Sequence, residues 1–425
     1  MTTHSNVRKW LMLAVLCLAG GTVYTFPFLR FSYYEPLKEA LGLTHTQLGV
    51  IQSCYGIIAT LGYIPGGMLA DRFSPRKLIS LALVATGLSG FYFSTFPSYA
   101  GAIVLHGFWG LSAVVVFWAA AIKATRNLGG PEEQGKLFGF LEGGRGLAGT
   151  LLGLACLAVF ARMGEGRLGL IWVINISAVV TTLAGILTWF VFEDADGDKS
   201  AGPSPLKGMA EAVKMPRVWI IGGIIFCGYS LFVGQTYTTP YMTGIFGASV
   251  SFGAMMGLIR TYGLQTCGAP LSGVLADRIG SPARIILGAF CVSSVSLVLF
   301  LVIPGSGALL MVVALTMVCL GLAVFALRGN FFATVDESRM PTHITGAIVG
   351  LASFIGYLPD AFSFAMIGNW LDAYPGMTGY RITFSYLLGV SIMGMILSLT
   401  LLRLNAKEKR GGRPGPAAES APSLS

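Results

Sequence analysis

Charge is what this sequence has least of. Lys, Arg, Asp and Glu together make up 11% of its 425 residues, less than half of the roughly 25% usual in soluble globular domains. That deficit excludes a water-soluble globular fold. Enzyme signatures are absent too. The chain holds no phosphate-binding P-loop, no HExxH, no CxxC pair and no GxSxG elbow, so neither ATP hydrolysis on this chain nor metal or serine hydrolase chemistry has its residues. Neither a cofactor nor a metal is expected. The seven cysteines, at 17, 54, 156, 227, 267, 291 and 319, all fall inside hydrophobic runs. They read as small apolar packing residues and not as a disulfide framework or a zinc site.

What the chain does have is apolar length. Hydrophobic residues make up 54% of it and glycine contributes 57 positions, a composition suited to helices packed closely in lipid. A span needs about twenty mostly apolar residues. Twelve such runs are expected at 10–33, 46–70, 78–97, 100–124, 135–161, 168–192, 217–242, 250–275, 283–303, 306–333, 344–371 and 378–403. The first follows Arg8 and Lys9 as a signal peptide would, but it lacks a small-residue cleavage site and reads as a retained span. The division expected is a six-helix bundle over 1–192, a polar linker over 193–216, a second bundle over 217–404 and a disordered tail over 405–425. The linker carries the acidic run Glu193, Asp194, Asp196 and Asp198, and the tail is rich in Gly, Pro and Ser.

The net charge of +9 is explained by placement, not by a nucleic-acid partner. Arg8, Lys9, Arg72, Arg76, Lys77, Lys123, Arg126, Lys136, Lys199, Lys207, Lys214, Arg217, Arg278, Arg284 and the basic tail flank spans on one side, whereas the other side has Lys38, Arg162, Arg167 and Arg381. By the positive-inside rule both termini and the linker are expected in the cytoplasm.

An internal repeat ties the halves together. Gly67, Leu69, Ala70, Asp71, Arg72 and Arg76 follow the second run, and Gly273, Leu275, Ala276, Asp277, Arg278, Gly280 and Arg284 follow the eighth. The two aspartates lie 206 residues apart, and both copies sit on the basic side. Parallel repeats related by an axis along the membrane normal are implied, a symmetry that places substrate at the midplane between halves. The doubled pattern G-x-L-A-D-R-x-G with a following basic residue resembles the loop 2–3 and loop 8–9 signature of the major facilitator superfamily, across essentially all of 10–403. Ser74 stands where the family usually has glycine. Ile122 to Arg126 and Phe138 to Gly146 resemble bacterial permeases near the sugar-phosphate and organic-anion branches. The resemblance implies an all-α integral membrane protein of twelve transmembrane helices, working as a functional monomer by alternating access. It also implies a gating role for Asp71, Arg72, Arg76, Asp277, Arg278 and Arg284, in which each aspartate caps a neighbouring helix and pairs with arginine; a plain tight turn is the alternative.

Charged residues inside spans are costly in hydrocarbon and usually face a cavity or a partner. Arg260 lies 17 residues before Asp277, about 25 Å along its helix, and Arg145 lies about ten residues into the fifth span. By the resemblance, helices 5 and 8 face each other across the two halves, so these arginines suit a carboxylate or phosphate. The alternative is neutralisation within the bundle. Glu142 is three residues before Arg145, and Asp360 is available to Arg328, which otherwise reads as a gate. Glu142 and Asp360 also read as proton carriers. Arg30 matches an arginine on helix 1 of organophosphate antiporters, whose second arginine on helix 7 has no counterpart here; snorkelling at the outer interface is its bland reading. Gln235 and Tyr237, with Tyr24, Trp118, Tyr262 and Tyr357, supply hydrogen-bonding and stacking groups, or pack. His106 occupies a family arginine position and reads as a structural hydrogen-bonder. Helix 5 has the glycines of the antiporter signature without its proline.

These residues point to a secondary transporter of a small organic anion in a bacterial inner membrane, proton-coupled or anion-exchanging. The alternatives are a permease or exporter of neutral or amphipathic molecules and a transporter-like sensor. The expected partners are the anionic small molecule and the lipid bilayer.

Overall fold

The computed structural model describes residues 6–193, 205–338, 340–341 and 344–410. Every regular element among the described residues is helical. The spans are α1 Asn6–Thr22, α2 His45–Arg72, α3 Pro75–Phe93, α4 Tyr99–Arg126, α5 Gln134–Arg162, α6 Arg167–Val191, α7 Pro216–Phe246, α8 over 250–279, α9 Pro282–Val302, α10 Leu310–Asn330, α11 Thr345–Ala373 and α12 Met377–Arg410. Eight helices among the described residues are long and apolar enough to cross a membrane on that ground alone. Local chemistry sets their ends. Pro75, Pro216 and Pro282 each sit in a first turn, where the missing N–H costs nothing. Thr44 and Gln47 form a capping box ahead of α2. Gly280 ends α8 in the left-handed conformation at φ 67°, which side chains with a Cβ disfavour.

The two halves repeat one pairing scheme. In the first, α1 packs on α5, α2 on α4 and α3 on α6; in the second, α7 packs on α11, α8 on α10 and α9 on α12. Large apolar side chains such as Leu61, Leu81, Val104, Val295, Met311 and Leu315 are exposed. In a chain that spans lipid these form the surface the acyl chains wet.

The halves meet through two equivalent pairs, α2 with α11 and α5 with α8. The α2–α11 contact is made by backbone. A Cβ on Gly49 would sit 2.2 Å from the Phe364 carbonyl oxygen, one on Gly56 2.5 Å from that of Asp360, and one on Gly368 2.3 Å from that of His45. This contact involves the part of α11 after Leu358. The earlier part, Thr345–Tyr357, packs on α7 and on the helix Pro205–Val213, both in its own half. The molecule is therefore clamped together on the face opposite its chain termini, here called the distal face.

Three local features differ from the sequence reading. The first span does not run to residue 33 as one helix. It ends at Thr22, passes through turns containing Pro27, a 3₁₀ turn Leu29–Phe31 and the short helix Tyr34–Leu41. Proline lacks the amide proton that a continuing helix needs. Within the expected linker, Pro205–Val213 is helical with Ala212 buried and Gly208 close to Ile344 and Ala347; residues 194–204, with most of the acidic run, lie outside the described residues. Finally, α12 continues to Arg410, beyond the expected boundary at 404, while the tail from 411 to 425 lies outside the described residues. Near the termini, Lys9 donates to Glu133 at 2.7 and 2.8 Å and Arg8 pairs with Glu193 at 2.5 Å. The hydrogen bond and charge of Lys9 hold the exposed Glu133 carboxyl below its usual range.

Candidate functional site between the two halves

Helix interruptions mark the centre of the molecule. Besides the break after α1, α7 tightens into a 3₁₀ turn at Gln235–Tyr237, α8 widens into a π turn at Ile259–Gly263, and α4 does so at Leu111–Trp118. Such irregular backbone persists at membrane depth only where protein or a cavity satisfies it, and π turns concentrate at functional sites.

Arg260 lies on the π turn of α8 and is 1% exposed. One terminal nitrogen donates to the carbonyls of Gln235 at 3.2 Å and Thr236 at 3.5 Å and to the hydroxyls of Thr238 at 3.2 Å and Thr239 at 2.8 Å. Its other terminal nitrogen donates to the Phe31 carbonyl at 2.6 Å. Acceptors at the interruptions of α1 and α7 thus converge on one guanidinium, which bridges the two halves. No carboxylate pairs with it among the described residues.

Arg30 lies one residue before Phe31 and is 2% exposed, so it does not snorkel. Its guanidinium carbon stands 5.1 Å from the ring centres of Tyr34 and Tyr237 and 4.8 Å from that of Phe364. None of its three nitrogens has a hydrogen-bond partner within 3.5 Å among the described residues. Ring faces attract a cation, yet five N–H donors remain to be satisfied, and a buried donor without an acceptor costs about 1–3 kcal/mol. Tyr237 is held in place by its hydroxyl, which donates to the Phe364 carbonyl at 2.8 Å. The side-chain oxygen of Gln235, also buried, has no hydrogen-bond partner among the described residues.

Toward the termini an aromatic layer follows. Phe28 stacks on Tyr24 and on Phe31, and Phe31 stacks on Phe364 and meets Phe232 edge-on. Arg145, on α5, lies 5.0 Å from the Trp118 ring centre and 5.5 Å from that of Tyr24, and pairs with Glu142 at 2.9 Å. On the other half, Arg328 lies 4.3 Å from the Phe232 ring centre. Asp360 accepts from the Tyr229 hydroxyl at 2.8 Å, and Tyr229 touches Tyr357 edge-on at 4.7 Å. No ion pair joins Arg328 to Asp360 among the described residues.

The structure therefore gathers Arg30, Arg260, Gln235 and Tyr237 on one side of the aromatic layer. Arg145 with Glu142 and Trp118, and Arg328 with Asp360 and Tyr357, stand on the other. Tyr262 is placed elsewhere, against Gly149 where α8 meets α5. His106 bonds the Ala102 carbonyl at 2.9 Å and packs against Phe93 and Trp109. At the termini face Arg72, Asp277, Arg278 and Arg284 are exposed, and Arg76 donates to the Trp189 carbonyl at 2.7 Å; the Asp71 side chain lies outside the described residues. Sequence reasoning missed Phe28, Phe31, Phe232 and Phe364. An aromatic in a lipid-spanning run carries no mark of which face it takes, and a backbone acceptor such as the Phe31 carbonyl carries none at all.

A twelve-span helical protein of two like halves with a polar centre between them has the architecture of a membrane transporter. The sequence matches the Major Facilitator Superfamily over residues 11–364, and the chain is a member of that family. It is 33% identical to inner membrane protein YihN of Escherichia coli (strain K12), over 95% of this chain and 97% of that one. It is 25% identical to the probable sulfoacetate transporter SauU of Cupriavidus necator, over 95% and 97%. Among solved structures it shares the fold of a bacterial homologue of the human lysosomal transporter Spinster in an inward-facing, unoccupied conformation. That likeness has a TM-score of 0.75 and 14% identity, covering 97% of this chain and 100% of the other.

Proposed function

We propose that this protein moves a small organic anion across a bacterial inner membrane, with Arg30 and Arg260 as the anion-binding pair. The observation that carries the reading is two fully buried guanidiniums with no carboxylate partner among the described residues, one of them lacking any hydrogen-bond acceptor. An isolated buried cation is expensive, and a carboxylate, sulfonate or phosphate ester supplies the missing countercharge in bidentate form. The sulfoacetate named for SauU belongs to this chemical class. With the basic loops in the cytoplasm, the clamped distal face is the outer side and the conformation is inward-facing. Opening the outer side parts α8 from Phe31 and frees the Arg260 nitrogen that donates to that carbonyl. The incoming anion replaces it.

Arg145 is neutralised by Glu142, so it serves better as the entry lip of the inner cavity than as the primary contact. Asp360, against Tyr229 and beside Arg328, is the carboxyl best placed to carry a coupling proton. Asp360→Asn is expected to keep exchange of internal for external substrate in proteoliposomes while losing at least about 90% of accumulation driven by a pH gradient. Retained accumulation moves coupling elsewhere.

A thermal-shift series with a sulfonate, a dicarboxylate, a sugar phosphate and a neutral sugar tests the binding reading. A ligand that binds only the folded state raises its stability, by about 2.7 kcal/mol at a hundredfold excess over Kd. One anion class is expected to stabilise the wild type, Arg30→Ala to abolish that shift, and Arg30→Lys to retain part of it. Stabilisation of wild type and Arg30→Ala alike by a neutral sugar would favour the neutral-substrate permease.

A further inference from the structure

The first N–H groups of a helix have no partner within the helix. At the distal end of α2, Thr44 satisfies the amide of Gln47, and the two preceding amides are satisfied from the other half of the molecule. Asp372, at the end of α11, accepts from the amides of His45 at 3.0 Å and Thr46 at 2.7 Å and from the Thr46 hydroxyl at 2.6 Å. At the distal end of α8 the same arrangement recurs with the halves exchanged. Ser249 satisfies the amide of Phe252, and Glu165, just past the end of α5, accepts from the Ser251 amide at 3.3 Å and the Ser251 hydroxyl at 2.6 Å.

The two contacts are equivalent under the internal repeat, since α11 is to α2 as α5 is to α8. In each, a carboxylate just past or within the last turn of one helix caps the start of a helix in the opposite half, where the helix dipole favours negative charge. Glu165 also holds the left-handed backbone conformation at φ 53°, which is costly for a residue with a Cβ. That cost is maintained where the surroundings demand it, commonly at switch regions. Both carboxylates are half-buried, so their contacts are only partly screened by solvent.

We propose that Asp372 and Glu165 are a matched pair of latches that hold the distal gate closed, so that both must release before the binding site opens to that side. Each bond runs between the halves and none survives their separation there. Once released, two capped helix ends and two carboxylates pass to water, which tolerates both. The latch is therefore reversible and its strength is set by charge. It rests on the fold and the repeat, not on the anionic substrate.

The test is double electron–electron resonance on the full chain, with the seven native cysteines replaced and labels at the exposed distal positions Thr95→Cys and Ser306→Cys. Asp372→Asn and Glu165→Gln are each expected to raise the long-distance, distal-open population about fivefold. The double variant is expected to raise it about 25-fold, as independent contacts should. Glu337→Gln is the control. Glu337 caps α9 through Ser281 and the Ala283 amide, wholly inside one half, so its loss should leave the distance distribution unchanged. A double variant with an unshifted distribution and an intact melting temperature overturns the proposal. A shift just as large in Glu337→Gln overturns it as well, because cap loss of any kind would then be responsible.

Discussion

Replacing Arg260 by alanine is expected to reduce transport at least a hundredfold while leaving a protein that still inserts and purifies. The side chain ties Phe31 of the first half to Gln235, Thr236, Thr238 and Thr239 of the second. Its removal takes the charged donor from acceptors on both sides of the interface, leaving the Phe31 carbonyl only the longer bond from the Thr239 hydroxyl at 3.3 Å, and a hydrogen bond to a charged group contributes about 1.5–3 kcal/mol. A hundredfold loss corresponds to about 2.7 kcal/mol, the size of one or two such bonds. Arg260→Lys keeps the charge but cannot reach acceptors spread over both halves with a planar fork, so it should recover only a small part of the rate. The measurement is initial uptake into proteoliposomes at matched protein content, with the thermal shift as a check on folding. If Arg260→Ala transports within threefold of wild type, the guanidinium is neither a substrate contact nor a necessary bridge.

The second large effect is expected at Gly49. A Cβ there would lie 2.2 Å from the Phe364 carbonyl oxygen, and that oxygen already accepts from Tyr237. Backbone cannot yield as a flexible side chain would, so Gly49→Val must push α2 and α11 apart. Overpacking of this kind costs about 1–3 kcal/mol, and the conformation with the distal face closed bears all of it. The population should move toward the distal-open form by about 5- to 150-fold. Maleimide labelling of a single cysteine placed at Ser53, buried on α2 between Gly49 and Gly56, in the background without native cysteines, should become correspondingly faster from the distal side. Gly67, where a Cβ would meet nothing within 4 Å, provides the comparison: Gly67→Ala should leave labelling unchanged. Equal labelling of wild type and Gly49→Val would mean that α2 and α11 are not the closing surface.

The frame was legible in the sequence because its causes are local. A run of apolar residues announces a span. The doubled motif at Asp71 and Asp277 gave the repeat. The pairing of Glu142 with Arg145 follows from a separation of three residues on a helix and is found in the structure. Arg260 and Arg30 were legible as candidates because charge in a hydrocarbon span needs a reason, but their surroundings were not. Phe31 and Arg260 are 229 residues apart, and Thr46 and Asp372 are 326 apart. No local pattern encodes a contact made by packing one half on the other. For the same reason nothing local in the sequence marks Asp372 and Glu165, although they cap helices they are not part of.

The interruptions of α1, α7 and α8 have a consequence for how the chain divides. Arg260 holds the broken stretches of all three together, so these rods are jointed at a common depth. The segments above that seam can tilt without dragging those below it. Such joints permit a stage in which both ends of the bundle are shut at once. In amide hydrogen exchange, the residues flanking Arg30, Gln235 and Arg260 would open together as one cooperative unit, apart from the remainder of their helices.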